Sequence, residues 1–296
     1  MPAPLLIADV PWLLYRSYFA LPKSIVDEQG RPVNALLGTV NTLLSLLESP
    51  PPAGVPRAFV TCMGAEQADY RVELYPPYHA HRDPMPPELA AQWEKAPELL
   101  AGLGWETPSS EDLEADDVMY SIACAEQDRG GESLLLTADR DLYGAVTDSI
   151  AVLELGKGGG PHVEIGPEQV RERYGVDPEQ VPDFIALRGD PSDGLPGAPG
   201  IGAKTAAELL RTHRSLEALL TAVHSESPAL RPRIVSALLE NEEMLVAFKE
   251  IATLQLIPAT PPPDHLTDFA RGAQVAGKLG MRRLAARLSS LASGEP

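Results

Sequence analysis

Short apolar runs alternate with longer amphipathic ones through the first half of the chain. Residues 5–9 (LLIAD) are continuously apolar and close on an acid, the pattern of a parallel strand buried on both faces. Residues 35–48 (ALLGTVNTLLSLLE) carry helical spacing, and Pro50, Pro51 and Pro52 then end the element. Residues 57–62 (RAFVTC) predict a second strand. Residues 64–87 are polar, rich in Tyr and Pro and weakly periodic, which predicts a long loop or mobile segment. Helical spacing returns over 88–103 and over 116–129, where Gly130 and Gly131 break it. Residues 133–137 (SLLLT) predict a third strand, with a helix from about Asp141. Strands alternating with helices predict an α/β domain built on a mainly parallel sheet.

Residues 156–160 (GKGGG) lie between two strand-like runs, AVLEL and HVEI. No Walker pattern is present and no helix follows, so a hairpin turn is the better reading than a phosphate loop. From about residue 167 the pattern is helical, with Pro and Gly punctuation over 189–202. Residues 258–263 (PATPPP) look like a linker before a basic helical tail. The division expected is therefore 1–166, 167–260 and 261–296, with no internal repeat.

Composition sharpens this only a little. The 296 residues, 44% hydrophobic and 22% charged, read as an ordinary soluble globular protein. No run approaches the roughly 18 apolar residues of a membrane helix, and no basic stretch precedes an apolar one at the start. Cys62 and Cys124 make no disulfide framework and no metal-type spacing, so buried thiols in a reducing, cytoplasmic setting are expected. The net charge of −18 argues against simple backbone-driven DNA binding, which needs basic surface. The sum hides a distribution, however. Acids gather at 111–117, at Asp139 and Asp141, and at Asp190 and Asp193, whereas residues 271–287 hold Arg271, Lys278, Arg282, Arg283 and Arg287 without an acid.

The acids are where chemistry is expected. Asp9 closes a strand, Glu114, Asp116 and Asp117 precede or open a helix, and Asp139 and Asp141 follow the third strand. Asp190 and Asp193 lie in a Gly-rich turn. Ligands of open α/β sheets bind beyond the carboxyl ends of the strands, so Asp9 and the Asp139/Asp141 pair should meet at one edge. Any one acid after a strand is more often a helix cap or turn former, and helical spacing points Asp116 away from Glu114 and Asp117 unless the helix begins there. Taken together the groups favour hard divalent cations, because crowded carboxylates repel one another and Mg²⁺ or Mn²⁺ relieves that repulsion. Two such ions about 4 Å apart can clamp the attacking and leaving oxygens of a phosphodiester.

These motifs are familiar. Residues 113–118 (LEADDV) resemble the E-A-D-D-V segment of bacterial 5′→3′ exonucleases and flap endonucleases, a family that includes the N-terminal nuclease domain of DNA polymerase I. Residues 137–142 (TADRDL) resemble their T-G-D-K-D-[LM]. Residues 187–206 (LRGDPSDGLPGAPGIGAKTA) are very similar to their long Gly-Asp to Lys-Thr stretch. Asp9 followed by Leu14, Tyr15 and Arg16, then Gly38 and Asn41, fits the family's start, and the likeness runs from about residue 4 to 260. It implies a PIN-like α/β nuclease domain over 1–166 with an arch segment at about 64–100. A helix–three-turn–helix, SAM-like DNA-binding region is implied over 167–260. It further implies two divalent cations on Asp9, Glu114, Asp116, Asp117, Asp139, Asp141, Asp190 and Asp193. DNA backbone contacts are implied from Arg16, Arg71, Gly200, Gly202, Lys204 and Thr205, with a potassium ion in the helix–three-turn–helix. The implied partner is DNA with a 5′ flap, nick or branch, with or without an RNA primer, bound by a monomer with no membrane involved.

Two departures from the family stand out. The Tyr-Lys-x-x-Arg of the arch is here Tyr78-His79-Ala80-His81-Arg82, expected to serve catalysis, with His79 in place of lysine. An imidazole carries charge only part of the time near neutral pH. The family also carries an acid seven residues before an arginine. Counting back from Arg71 gives Gly64, so one metal ligand is absent. Water in its place, or one ion held more weakly, is expected. The alternative is a DNA-junction-binding homologue with little catalysis; a PIN-type RNase is a third reading, against which the Gly-Asp to Lys-Thr turn speaks.

Overall fold

The computed structural model describes residues 3–156, 160–225 and 230–294. Five strands form one sheet: β1 (Leu5–Asp9), β2 (Ala58–Cys62), β3 (Ser133–Leu136), β4 (Ile150–Glu154) and β5 (Val163–Ile165), in the order β2-β1-β3-β4-β5. The first four are parallel, with Asp9 beside Cys62 and Ala8 beside Leu136. β5 returns antiparallel to β4. The hairpin expected at 156–160 joins these two strands, but its residues 157–159 lie outside the described residues.

Side chains alternate across the central strand. Leu5 and Ile7 enter one apolar core while Leu6 and Ala8 enter the other, as a strand buried on both faces requires. The second of these cores packs α1 (Val10–Ala20), α2 (Asn34–Glu48), α4 (Pro87–Trp93) and α5 (Ala96–Gly102) on one face. The opposite face carries α6 (Ala115–Asp128) and then the helical region. That region comprises α7 (Pro167–Tyr174), α8 (Val181–Arg188), α9 (Ala203–His213), α10 (Leu216–His224), α11 (Pro232–Glu240) and α12 (Glu242–Ala252). The α/β class with a mainly parallel sheet, followed by a helical module, is therefore as the sequence implied.

Several elements differ from the expectation. Helix α1 stands where the sequence pattern assigned no element, and it contains Pro11. That proline sits in the first turn, where the missing N–H has no helical partner anyway, and Asp9 caps the helix through the Trp12 amide. The single helix expected over 88–103 is two, α4 and α5. A continuous helix would place Pro97 in its interior; the break moves Pro97 into a new first turn. The helix expected from Asp141 is one 3₁₀ stretch, Asp141–Ala145. The segment 64–87 contains a short helix, α3 (Asp69–Leu74).

The stretch expected as a linker and the helical tail after it both pack on the sheet domain. Both Arg57 and Arg129 donate to the Pro262 carbonyl, at 2.9 and 3.0 Å, and so pin the proline-rich segment to the sheet domain. The tail folds into α13 (Phe269–Lys278) and α14 (Arg282–Ser293), which bury Ala276, Leu284 and Leu288 in the core with α5. Arg282 pairs with Glu28 and Arg287 with Glu48, so these two tail cations are answered by acids of the sheet domain.

Candidate active site

The carboxyl end of the sheet opens into a cavity of about 1000 Å³. Asp9, Glu114, Asp116, Asp139, Asp141, Asp190 and Asp193 line it. Each arrives by a local device. Asp9 leaves β1 as the cap of α1; its Oδ1 accepts from Trp12 N–H at 2.9 Å and its Oδ2 from the Thr137 hydroxyl at 2.8 Å. Asp139 follows β3 and accepts from the Asp141 amide at 2.9 Å, which turns the chain so that both carboxylates face inward. Helix α6 begins at Ala115, so Asp116 lies in its first turn and reaches the cavity. The loop after α8 is closed by a reciprocal backbone pair between Asp190 and Leu195, 2.8 Å each way, which holds Asp190 and Asp193 at the rim.

Asp117 does not join them. It is fully buried, and its Oδ1 accepts from Arg71 at 2.9 Å and from the Gln255 amide at 2.8 Å. Arg71 is likewise not a free phosphate contact. Only 4% exposed, it pairs with Glu114 at 3.2 Å and Asp117, and donates to the Ile251 carbonyl at 3.1 Å. Its guanidinium is spent on tying α12 to α6. Tyr78 is buried and its hydroxyl donates to Glu114 at 3.1 Å, so it braces an acid. His79 stacks on Tyr78 with a left-handed backbone (φ 56°), and its Nε2 meets Asp193 Oδ1 at 3.0 Å. Arg82, half-exposed, also donates to Asp193, at 3.1 Å. His79 and Arg82 therefore dock on the Asp193 loop.

Charge in the cavity is uncompensated on one side only. The ion pairs of this region fall on Glu114, Asp117, Asp190 and Asp193. Among the described residues none falls on Asp9, Asp116, Asp139 or Asp141. Burial pushes Asp9 up to about 6 and Asp139 up to about 7, with neighbouring carboxylates adding to the rise. Burial and the adjacent Asp139 raise Asp116 and Asp141 well above the usual range. Burial also acts on Asp193, but the His79 ring and Arg82 hold it below its ordinary value. The unpaired set is all oxygen and anionic, which suits a hard cation. As the side chains stand, no three such groups among the described residues close on a common point.

A stability consequence follows. Carboxyl groups raised from 3.8 toward 6 and 7 bind more protons in the native than in the unfolded state, so native stability falls as pH rises through that window. The metal-free protein should melt at a lower temperature at pH 8 than at pH 5, and a divalent cation should restore the midpoint at pH 8. Thermal scans at the two pH values, with EDTA and with Mg²⁺, check both statements.

Gly64 proves to be more than a missing acid. A Cβ there would lie 2.4 Å from the Ala115 amide nitrogen and 2.8 Å from the Leu113 carbonyl oxygen. The backbone entering α6 has closed over the position. Gly64→Asp should therefore cost about 1–3 kcal/mol by overpacking and leave divalent affinity no higher, as chemical denaturation and cation titration would show.

The residues expected to contact DNA lie elsewhere. Gly200 has φ 78°, and Gly202 caps α9, whose first turn carries exposed Lys204 and half-buried Thr205. These four share one turn and lie outside the cavity lining. Arg16 is exposed on α1, its guanidinium 5.8 Å above the Trp12 ring. The sequence reading missed Thr137, which orients Asp9, and the aromatic residues Trp12, Phe19 and Trp93 of the cavity wall.

A carboxylate-lined cavity beyond the strand ends of a mainly parallel sheet, followed in the chain by a helical region, is the arrangement of a nuclease domain with a helical module. The family model described as "5'-3' exonuclease, N-terminal resolvase-like domain" matches residues 4–175, and "5'-3' exonuclease, C-terminal SAM fold" matches 176–270. The chain belongs to the 5'-3' exonuclease family. It is 32% identical to a 5'-3' exonuclease of Mycobacterium tuberculosis over 97% of both chains. It is 36% identical to DNA polymerase I of Mycobacterium bovis across 88% of this chain, which spans only 28% of that polymerase. In fold it is similar to the phage T5 D15 protein co-crystallised with metal ions (TM-score 0.69, 18% identity, 98% and 99% of the chains). It is also similar to the catalytic core of Rad2 in complex with DNA substrate (TM-score 0.64, 14% identity, 99% and 92% of the chains). Among the described residues no helix is long and apolar enough to cross a membrane.

Proposed function

We propose that this 5'-3' exonuclease-family enzyme hydrolyses DNA phosphodiesters at or near 5′ ends, flaps and junctions, acting as a monomer with two divalent cations, Mg²⁺ or Mn²⁺. The observation that carries the reading is the unpaired set Asp9, Asp116, Asp139 and Asp141 at the strand ends. Bound there, divalent cations supply an activated water and charge compensation at the phosphate. The chain's own residues do the rest. Asp116, Asp139 and Asp141 would hold the ions together with Asp9, which Thr137 orients. Asp190 and Asp193 complete the rim, while Glu114 is held in place by Arg71 and Tyr78. Arg82 exchanges its contact with Asp193 for the incoming phosphate. His79 keeps Asp193 in place rather than touching substrate, because its ring is already engaged.

The site is tested with labelled 5′-flap, nicked and blunt duplexes in Mg²⁺ and in Mn²⁺. Cleavage of the flap or nicked substrate in either metal is expected, and none in EDTA. Retained binding without cleavage of any substrate would favour a junction-binding homologue instead.

The α9 turn is read as the duplex dock. Amides at a helix N-terminus and the Lys204 ammonium suit a phosphate, with potassium in the same turn. Lys204→Ala should weaken duplex binding on any sequence and reduce the salt slope by about one unit. Binding isotherms at several salt concentrations measure this, and removing K⁺ tests the monovalent site.

A further inference from the structure

Aromatic residues make up only 5% of the chain, and tryptophan occurs three times. Trp105 is buried in the core, stacked on Phe59. The other two, Trp12 and Trp93, both line the cavity that holds the carboxylates, together with Tyr15 and Phe19. Trp12, Tyr15 and Phe19 fall at helical spacing on α1, so they share one stripe. The opposite stripe, Leu13, Leu14 and Tyr18, is what holds α1 to the sheet. Trp12, Tyr15 and Trp93 rest against the same core but are only partly buried, each leaving ring surface to the cavity. Phe19 is 71% exposed at the cavity mouth.

The rings are also ordered by one another. Tyr15 stacks on Phe19 with centroids 6.4 Å apart and meets Trp93 edge-on at 6.5 Å. The Tyr15 hydroxyl donates to Glu66 at 2.6 Å, which fixes the central ring and marks it as a brace. Two cations stand near them. Arg16 lies over Trp12, and Arg82 lines the same cavity. Flat rings flanked by guanidinium groups are what a single nucleic-acid strand requires: bases stack on the rings and phosphates meet the cations.

We propose that Trp12, Phe19 and Trp93 form a stacking surface for unpaired bases of the single strand entering this cavity. The proposal rests on the nuclease reading above and adds which part of the substrate is gripped. Because every base has a π-face, the surface favours unpaired over paired nucleotides with no preference for sequence.

The test uses the full chain in EDTA, where no strand is cut. Tryptophan emission is followed during titration with a 5′-flap duplex, and with the same duplex carrying abasic sites through the flap. The base-bearing flap is expected to quench emission and to bind about tenfold more tightly than the abasic one. Phe19→Ala and Trp93→Ala should each remove about that factor for the base-bearing flap and leave abasic binding unchanged. Phe19 is exposed, so its variant should keep the wild-type melting temperature and separate recognition from folding. Equal affinity for the two flaps, or unchanged affinity in both variants, overturns the stacking surface. If the wild type still cleaves flaps in Mg²⁺, that outcome leaves the nuclease reading intact. If it neither binds nor cleaves them, both fall.

Discussion

Replacing Asp139 and Asp141 together by alanine should lower the cleavage rate by at least about a hundredfold without lowering the thermal midpoint of the metal-free protein. The two halves come from the same geometry. Both side chains face the cavity without an ion-pair partner, so removing them takes away cation ligands. Both are also destabilised by burial and by each other, Asp139 rising to about 7. Their loss relieves native-state repulsion above that pH. Most active-site losses that come from misfolding move rate and midpoint down together. Here the rate falls while the midpoint holds or rises. A single-turnover cleavage assay beside a thermal scan in EDTA at pH 8 reads both.

Arg71→Ala should do the reverse and cost about 3–5 kcal/mol of stability. Its guanidinium answers two carboxylates, Glu114 at 3.2 Å and fully buried Asp117 at 2.9 Å. It also satisfies the Ile251 carbonyl at the end of α12. Truncation strands Asp117 as an unpaired buried charge, and the helical region loses its tie to the start of α6. Arg71→Lys should recover little, since one ammonium cannot reproduce a planar fork that hydrogen-bonds Asp117 and Ile251 while pairing with Glu114. Denaturant unfolding of the three proteins measures this directly. A loss under 1 kcal/mol for the alanine variant would mean that the buried pair is dispensable.

The contrast between these variants shows how much of the molecule was legible in the sequence. The strand runs and the acids closing them placed the cavity correctly, because a parallel strand buried on both faces leaves only its carboxyl end for chemistry. Asp116 was ambiguous for a sound reason. A helix face is fixed only once its first residue is known, and Ala115 as the first helical residue turns Asp116 into the cavity and Asp117 into the core. Arg71 and Asp117 are charged residues in motif-like positions, and charge alone does not tell a ligand from a buried strut. That distinction needed Ile251 and Gln255, more than 130 residues away in sequence. His79 and Tyr78 were likewise marked as functional without their partners, Asp193 and Glu114. The aromatic stripe was missed because its spacing has meaning only on α1, an element the sequence pattern did not assign. Gly64 could be counted as an absent acid, but the backbone that now fills its place is visible only in three dimensions.

The nuclease reading depends on the unpaired carboxylates gathering divalent cations. The direct measurement is the anomalous scattering of Mn²⁺ in crystals of this chain. Manganese is expected against Asp116, Asp139 and Asp141, with the occupancy on the Asp9 side the lower of the two, since Gly64 offers no ligand there. Manganese bound away from these side chains, or no manganese in the cavity at millimolar concentration, would contradict the proposed site.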